Sequence, residues 1–251
     1  MNRGFLIGIS GKIGTGKTSM ANEIVKAAGS LRNSTHNKVA FWDVICKRIA
    51  FGDLLKQELA ERFPVDLEAC YTSQGKQGLV RVPWGWRLKI WNSSWLSRLT
   101  LGSRVRLRVL LQWYGTQYRR KQDPMYWVGA MRQRLQQELN QGVCVVVDDV
   151  RFVDEKQLIE ELGGIMVRIE PWEGWSPGPY AGHVSEIALD GPHNWDIVLR
   201  GPKLGNYPSL ARKLVCIVAA KLDGGVDYAL DQISLFDQST ILEPSAWRRA
   251  K

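Results

Sequence analysis

Apolar residues along the chain fall into short continuous runs separated by longer stretches with helical spacing. The strand-length runs cover residues 5–9, 143–147, 165–169 and 196–199. The helix-spaced stretches cover residues 19–26, 126–140, 153–162 and 208–222. The run at 143–147 is apolar on both faces, as expected of a central parallel strand. Strands that alternate with helices in this way predict an α/β fold, with three layers around a central parallel sheet.

The segments between these elements are less regular. Residues 29–37 are polar and predict a loop, and residues 39–42 and 48–51 predict two short strands. Asp53 has the position of an N-cap, because apolar side chains at helical spacing follow it. A regular pattern also returns at 110–118.

Residues 64–111 differ in character from the rest of the chain. They are rich in Trp and Arg, show little periodicity and contain a turn signal at 83–86. We therefore expect a helical lobe inserted into a single core. The Pro- and Gly-rich connection at 170–191 has the composition of a lid. The predicted organisation is a core at 1–56 and 112–222, an inserted lobe at 57–111, a lid at 170–191 within the core, and a C-terminal extension at 223–251.

The segment between the first strand and the first helix is a phosphate-binding loop. Its sequence, GKIGTGKT at residues 11–18, matches the full P-loop pattern. The glycines let successive N–H groups point into one concavity that holds phosphate oxygens, and the helix N-terminus adds positive partial charge. Lys17 can reach the β- and γ-phosphates of ATP, and the Thr18 hydroxyl can bind Mg²⁺. The predicted ATP contacts are Gly11, Ile13, Gly14, Thr15, Gly16, Lys17, Thr18 and Ser19.

Two carboxylates, Asp148 and Asp149, follow the apolar run at 143–147. At the carboxyl end of a parallel strand beside a P-loop, a carboxylate can hold Mg²⁺ or its water ligands. The alternative is that one of the two caps the following helix. The candidate metal ligands are therefore Thr18, Asp148 and Asp149, and Asp149 is the preferred ligand for metal or substrate.

Cationic side chains appear in two further places. Arg151 lies in the loop above the sheet, where its planar guanidinium suits a phosphate, although a solvated surface arginine is the alternative. Residues 115–127 combine cations, an acid and aromatic side chains. A solvated helix end would explain the cations Arg119, Arg120 and Lys121, but not the Pro-Met-Tyr-Trp sequence that follows them.

The order and spacing of these motifs resemble those of the phage deoxynucleoside monophosphate kinases, a family within the P-loop nucleoside monophosphate kinases. The resemblance runs from the P-loop to about residue 222, with poor correspondence over 67–108 and none in the C-terminal extension. The matching residues are Phe51 to Lys56, Gly115-Thr116, Arg119 or Arg120, Asp123-Pro124, Trp127, Asp149 to Phe152 with Glu155, and then His183, Ser185 and Glu186.

The resemblance implies transfer of the γ-phosphoryl group of ATP, with Mg²⁺, to a deoxynucleoside 5′-monophosphate, giving the diphosphate for DNA precursor synthesis. It also implies that the inserted lobe binds the monophosphate. Such a reaction needs two aligned phosphates and neutralised charge rather than a nucleophilic side chain or general base. By similarity, the catalytic residues would be Lys17, Arg119, Arg120, Asp149 and Arg151. The substrate contacts would be Asp53, Lys56, Arg119, Asp123, Trp127, Arg151, His183, Ser185 and Glu186.

Three features depart from this family pattern or leave alternatives open. Most lids of the superfamily carry several arginines, whereas residues 170–191 carry none, so the cations would come from the core and the inserted lobe. His183 is equally consistent with a surface residue that makes local hydrogen bonds. Four tryptophans of the lobe either stack on a base or fill the core of the lobe. They are Trp84, Trp86, Trp91 and Trp95.

The bulk composition limits the class of protein. With 251 residues, of which 45% are hydrophobic and 24% charged, the chain is long enough for one substantial globular core. Its four cysteines have no C-x-x-C spacing, which argues against zinc and fits reduced thiols. We expect no signal peptide and no membrane span, and hence a cytoplasmic location, in the host cytoplasm if the protein is viral.

The net charge of +9 fits two interpretations. A nucleic-acid surface would explain it, and so would an enzyme with two phosphorylated substrates, which we favour because the cations recur in several clusters rather than in one tail. The expected partners are ATP and the monophosphate, without nucleic acid or membrane, and a homodimer is allowed. The alternative functions are another P-loop small-molecule kinase and a nucleic-acid-dependent P-loop ATPase.

Overall fold

The computed structural model describes residues 4–32, 45–91, 104–172, 174–176, 182–200, 207–222 and 240–241. The chain divides into two compact units, one formed by Met1–Ala50 with Arg132–Lys251 and the other by Phe51–Met131. The strand predicted at 39–42 lies outside the described residues, as does most of the C-terminal extension. The predicted domain boundaries stay predictions.

The helices and strands begin and end as follows in chain order. They are β1 (Leu6–Gly11), α1 (Lys17–Arg32), β2 (Cys46–Ile49), α2 (Phe51–Arg62), β3 (Leu79–Arg81), α3 (Trp84–Trp91), β4 (Arg104–Arg106), α4 (Leu107–Gln112), a π-helix (Trp113–Arg120), α5 (Tyr126–Asn140), β5 (Cys144–Val150), α6 (Val153–Glu161), β6 (Ile165–Glu170), α7 (Val184–Ile187), β7 (Ile197–Arg200), α8 (Tyr207–Leu222) and β8 (Thr240–Ile241).

The first unit is built on a six-stranded sheet with the order β2-β5-β1-β6-β7-β8. Five strands are parallel, and β8 pairs antiparallel with β7 at the edge. The predicted α/β fold with a central parallel sheet is confirmed. In the C-terminal extension, the two described residues form this edge strand.

Helices cover both faces of the sheet. Side chains alternate along β1, so Ile7 and Ile9 face the side opposite to Gly8. Ile7 and Ile9 belong to a buried cluster with residues of α1 and α8. On the other face, a Cβ at Gly8 would lie 3.1 Å from a methyl carbon of Ile159 in α6. The three predicted layers are therefore present.

Two predicted boundaries around β2 are wrong. The strand predicted at 48–51 ends at Ile49, and Phe51 already begins α2. Asp53 consequently lies in the first turn of α2 rather than at its N-cap. There it accepts a hydrogen bond from Lys56, and its negative charge next to the helix N-terminus is favourable.

Three other local predictions also differ from the structure. β5 continues through both aspartates to Val150, although carboxylates have low strand propensity. Tertiary contacts from Thr18 and Arg48 hold one oxygen of Asp148 there. The turn predicted at 83–86 is the start of α3, where Pro83 is compatible with a helix N-terminus. The connection at 170–191, for which no helix was predicted, contains α7.

The second unit combines helices with a small antiparallel sheet of β3 and β4. An aromatic cluster fills its interior, with neighbouring ring centroids 4.9 to 6.3 Å apart. The cluster consists of Phe63, Trp86, Trp113, Tyr114 and Tyr118. Two of its rings come from the π-helix start, Trp113 and Tyr114, which are both buried. π-Helical segments are rare and often occur at functional sites.

The tryptophans of this unit have different environments. Trp86 packs against Phe63 and Trp113, as a core residue does. Trp84 is 78% exposed. Trp95 and the side chain of Trp91 lie outside the described residues. Filling of the core thus accounts for Trp86, whereas it does not account for Trp84.

The thiols of Cys46 and Cys144 are expected to react slowly in the folded protein. These residues lie side by side on β2 and β5, and burial raises the pKa of each to about 12. Because only the thiolate reacts, alkylation at pH 8 should be about 10³-fold slower at these sites than in the unfolded chain. Mass spectrometry after iodoacetamide treatment with and without urea measures this ratio. Equal rates would contradict the prediction.

No helix among the described residues is both long enough and apolar enough to cross a membrane.

Candidate functional site

The P-loop connects β1 to α1 at the carboxyl edge of the parallel sheet. Gly11 ends β1, and Lys17 begins α1. Gly14 and Gly16 have φ angles of 78° and 87°, which side chains of L-residues rarely allow. A Cβ at residue 16 would also overlap the hydroxyl of Tyr207. The loop therefore has the tightly curled backbone that a phosphate cradle requires.

The Lys17 side chain is buried inside its own loop. Its Nζ donates to the carbonyl oxygens of Gly11 at 2.8 Å and Lys12 at 2.6 Å. Burial lowers the pKa of Lys17 to about 7, and the nearby positive charge of Arg151 acts in the same direction. A phosphate beside Nζ would oppose this shift, because a nearby negative charge favours the protonated amine.

The hydroxyl of Thr18 contacts a buried carboxylate on the neighbouring strand. Thr18 Oγ1 donates to Asp148 Oδ2 at 2.6 Å, and Arg48 Nε donates to the same oxygen at 2.9 Å. The Asp148 side chain is only 2% exposed. Its second oxygen, Oδ1, is buried and has no hydrogen-bond partner within the described part of the chain. This hydroxyl and carboxylate are suitable ligands for Mg²⁺. In such sites Mg²⁺ also retains water ligands and binds phosphate oxygens of the nucleotide.

The second aspartate, Asp149, has a different environment. It is half-buried, and its negative charge raises the pKa of Lys17 in opposition to burial. The described ranges contain no group of three His, Cys, Asp or Glu residues that could hold a metal ion by themselves. Mg²⁺ bound mainly through phosphates and one carboxylate is consistent with this geometry.

A carboxylate from α7 lies at the rim of the P-loop. Glu186 Oε2 accepts a hydrogen bond from the Ile13 N–H at 2.7 Å, and Oε1 pairs with the guanidinium of Arg151. Lys12 Nζ donates to the Glu186 carbonyl and to Asp190, both at 2.5 Å. One amide of the loop and the arginine predicted to bind phosphate are therefore both engaged by an anion of the protein itself.

The two other residues of this motif, His183 and Ser185, shape the turn that carries Glu186. His183 is the N-cap of α7, and its Nδ1 accepts from the Ser185 N–H at 3.2 Å and lies 2.8 Å from the Ser185 hydroxyl. Burial lowers the pKa of His183, and Arg151 adds to the shift, so the neutral ring that can accept a hydrogen bond is favoured. This geometry agrees with the alternative that His183 makes local hydrogen bonds.

Arg151 is positioned by the turn that follows β5. Glu155 Oε2 accepts from the backbone N–H groups of Arg151 at 2.7 Å and Phe152 at 3.2 Å. The carboxylate thereby satisfies two amides at the start of α6, as in a capping box. Arg151 is thus held at the carboxyl edge of the sheet, on the same side as the P-loop.

Three residues beside the P-loop were not predicted from the sequence. Trp175 Nε1 donates to the Ile13 carbonyl at 3.1 Å, and Arg168 Nη1 donates to Ser10 Oγ at 3.1 Å. Arg48, as described above, contacts Asp148. Arg168 lies on β6, which neighbours β1, and Arg48 lies on β2, which neighbours β5. Trp175 lies in the connection that follows β6. These positions near the carboxyl edge of the sheet were the available signal.

Glu186→Gln is expected to bind Mg-ATP about tenfold more tightly than the wild type. A phosphate oxygen must displace the Glu186 carboxylate to reach the Ile13 N–H, and hydrogen bonds to charged groups contribute about 1.5–3 kcal/mol. Isothermal titration calorimetry without acceptor measures the affinity. Asp190→Asn is the matched control, because it removes a carboxylate of the same segment that does not contact Ile13. Weaker binding by Glu186→Gln would show that Glu186 assists the nucleotide instead.

In the second unit, the predicted Arg119 takes part in a buried polar network. It pairs with the carboxylate of Glu58 and donates to the Tyr114 hydroxyl at 3.2 Å. The hydroxyls of Tyr114 and Tyr126 donate to Glu58 at 2.8 and 3.0 Å. Arg119 is only 13% exposed. Glu58, the acceptor on which this network converges, was not predicted from the sequence, because it is one polar residue on an amphipathic helix.

The remaining predicted residues of this unit make local contacts. Lys56 Nζ donates to Asp53 at 3.0 Å and lies 4.1 Å from the centre of the Tyr71 ring. Asp123 accepts from the Met125 N–H at 2.9 Å. Trp127 is buried and donates to the Gly115 carbonyl at 3.0 Å. Arg120 is half-buried. Asp123 and Trp127 thus stabilise the junction between the π-helix and α5.

Comparison with known proteins gives one informative similarity. No protein-family model matches the chain. Over 206 residues, the chain is 26% identical to a protein of Acanthamoeba polyphaga mimivirus named "Putative deoxynucleotide monophosphate kinase". The match covers 77% of this chain and 86% of the viral protein. The chain that carries this P-loop site is therefore similar, over most of its length, to a viral protein named as a nucleotide kinase.

Proposed function

We propose that this protein transfers the γ-phosphoryl group of ATP to a deoxynucleoside 5′-monophosphate. The observation that carries the proposal is the hydrogen bond from the P-loop residue Thr18 to the buried Asp148. P-loop kinases and ATPases use such a hydroxyl and carboxylate pair to hold Mg²⁺ beside the phosphates. The similarity to the mimivirus protein supports a deoxynucleoside monophosphate as the acceptor.

The residues of the first unit would bind the donor. The backbone amides of residues 11–18 and the N-terminus of α1 would hold the β- and γ-phosphates, and Lys17 Nζ would exchange its two carbonyl contacts for phosphate oxygens. Thr18 and Asp148 would hold Mg²⁺, with Asp148 in the role for which the sequence favoured Asp149. Bound Mg²⁺ would neutralise charge on the transferring group.

Arg151 would provide the positive charge for the transferring phosphoryl group. In the described structure its guanidinium is paired with Glu186, which also occupies the Ile13 amide. A phosphate that takes this amide would separate Glu186 from the loop and leave Arg151 beside the new anion. Its planar fork could then bind two phosphate oxygens at once.

The second unit would supply the acceptor contacts. Because Arg119 is committed to Glu58 and to the Tyr114 hydroxyl, we assign it to positioning of the π-helix. Lys56 and Arg120 would then contact the monophosphate. Asp53 would orient Lys56 through their ion pair. Within this proposal, 57–111 remains the inserted substrate lobe and 170–191 remains the lid.

A coupled assay of ADP release tests the proposal. Mg-ATP is offered with each deoxy- and ribonucleoside monophosphate in turn, and with single-stranded DNA in a separate series. Lys17→Ala is the blank, because loss of a positioned charge at the transferring group lowers kcat by about 10²–10³-fold. The expected result is turnover with one or a few deoxynucleoside monophosphates.

Other outcomes distinguish the alternative functions. ADP release that depends on DNA and not on any monophosphate would support the nucleic-acid-dependent ATPase. ADP release that neither addition stimulates would be transfer to water, and it would leave a P-loop NTPase whose own acceptor is another molecule, such as a different phosphorylated small molecule. Either result would overturn the proposed reaction while leaving the ATP site intact.

A further inference from the structure

The excess positive charge of the chain is concentrated in one stretch. Residues 69–122 contain eleven Lys and Arg residues and no Asp or Glu. This exceeds the net charge of +9 for the whole chain, so the remainder is slightly acidic. A single monophosphate would not use so many cations. The charge therefore indicates an extended anionic ligand.

The described part of this stretch presents a flat face of arginines. In β3 and β4, the central residues Val80 and Val105 are buried, and the flanking residues are exposed. Because side chains alternate along a strand, the exposed residues share one face. We call it the arginine face, and its members are Leu79, Arg81, Arg104 and Arg106.

Two arginines of this face lie directly opposite each other. Arg81 pairs with Arg104 in the antiparallel register, and like charges at such positions repel and destabilise the strand pair. The surrounding sequence from 69 to 122 offers no carboxylate to relieve the repulsion. An anion that binds across both strands would relieve it.

A groove with an exposed indole adjoins the arginine face. It has a volume of about 420 Å³, within the range of small-ligand sites. We call it the Trp84 groove. Its lining residues are Pro64, Arg81, Val82, Pro83, Trp84 and Arg87. Arg81 belongs to both features, so the groove and the face are continuous.

One cation of the groove is held beside the exposed indole. Trp84 is 78% exposed, and the Arg87 guanidinium lies 5.2 Å from the centre of its ring. Arg87 Nε donates to the Val82 carbonyl at 3.2 Å, which fixes the guanidinium beside the indole. An open indole next to a fixed guanidinium suits an unpaired base with its phosphate.

We propose that the arginine face and the Trp84 groove bind single-stranded nucleic acid. Phosphates of consecutive nucleotides contact Arg81, Arg104 and Arg106, and one base stacks on Trp84 beside Arg87. Stacking requires an unpaired base, so a duplex fits less well. This site is additional to the proposed kinase reaction and does not depend on it.

Fluorescence anisotropy of a labelled oligothymidylate of about 12 nucleotides tests the proposal on the full chain. If the arginines of the face and Arg87 contact four phosphates, the logarithm of the binding constant falls with that of salt concentration with a slope of about −2.8. Arg81→Gln/Arg104→Gln should reduce the slope by about 1.4 units. Trp84→Ala should weaken binding about 5- to 150-fold.

The matched control is Lys26→Gln/Arg132→Gln, which removes the same charge from the other unit. These residues are exposed and pair with Glu23 and Glu161, so their removal should leave oligonucleotide binding unchanged. The Arg81→Gln/Arg104→Gln variant should melt at or above the wild-type temperature, because it removes a repulsive pair. If this variant loses oligonucleotide binding and keeps its melting temperature, the loss comes from the removed arginines and not from unfolding.

Three outcomes would overturn the proposal. Equal losses in the two double variants would mean that only bulk charge attracts the strand. Competition by thymidine monophosphate as strong as that by the oligonucleotide, nucleotide for nucleotide, would make the groove a mononucleotide site. Binding to anionic phospholipid vesicles without binding to the oligonucleotide would assign the face to membranes. Lys17→Ala should bind the oligonucleotide normally, which separates this test from the kinase assay.

Discussion

Asp148→Asn is expected to lower Mg-ATP turnover about 100-fold, whereas Asp149→Asn should change it by less than about threefold. Asp148 is the carboxylate that accepts from Thr18, and its buried Oδ1 has no partner among the described residues. The neutral side-chain amide of Asn lacks the negative charge with which the Asp148 carboxylate would bind Mg²⁺. Asp149 is adjacent in sequence and half-buried, but the Thr18 hydroxyl donates to Asp148 and not to it.

The two aspartate variants are compared over a range of Mg²⁺ concentrations at saturating ATP. Asp148→Asn should need more Mg²⁺ for half-maximal turnover, while Asp149→Asn should follow the wild-type curve. Because Asn removes the carboxylate charge that pairs with Arg48, thermal melting of both variants provides the control for folding. A larger loss of activity in Asp149→Asn would return the metal site to the residue favoured by the sequence.

Glu58→Ala is expected to destabilise the second unit by about 3–5 kcal/mol. The Glu58 carboxylate is largely buried and accepts from Arg119, from the hydroxyls of Tyr114 and Tyr126, and from Arg62. Its removal leaves a buried guanidinium and two hydroxyls without their common acceptor, and an unsatisfied buried polar group is costly. The substitution should therefore loosen the π-helix that contains Arg119.

Urea denaturation followed by tryptophan fluorescence measures this effect, because Trp86 and Trp113 lie in the aromatic cluster of the same unit. Glu61→Ala is the matched control. Glu61 is exposed on the same helix, so its loss should change the free energy of unfolding by less than about 0.5 kcal/mol. Equal effects of the two substitutions would show that the network around Glu58 adds no stability.

Much of the first unit follows from local sequence. The strand-length apolar runs at 5–9, 143–147 and 165–169 correspond to β1, β5 and β6, since continuous burial of both faces leaves a clear pattern. The P-loop could also be predicted from the sequence. Its glycines are required by the local backbone conformation of the loop and do not depend on distant residues. The predicted ends of helices and strands were less accurate where an element is extended or ended by contacts with residues that are distant in sequence.

The second unit was less predictable. Its strands β3 and β4 are three residues each, which is too short for a reliable alternating pattern. The π-helix at Trp113–Arg120 has no distinct sequence period. The aromatic cluster explains the Trp-rich composition, but only the packing shows that Trp86 belongs to the cluster and that Trp84 is exposed.

The sequence by itself determined the α/β class, the parallel sheet and the position of the phosphate loop, because each depends on periodicity or on backbone requirements within a few residues. The tertiary structure decided which carboxylate accepts a hydrogen bond from Thr18, from which it is separated by 130 positions in sequence. It also decided that Glu186 accepts from the Ile13 N–H, at a separation of 173 positions. It also decided that Arg119 is committed to Glu58. Such contacts depend on side-chain direction and on elements distant in sequence, and neither leaves a local pattern.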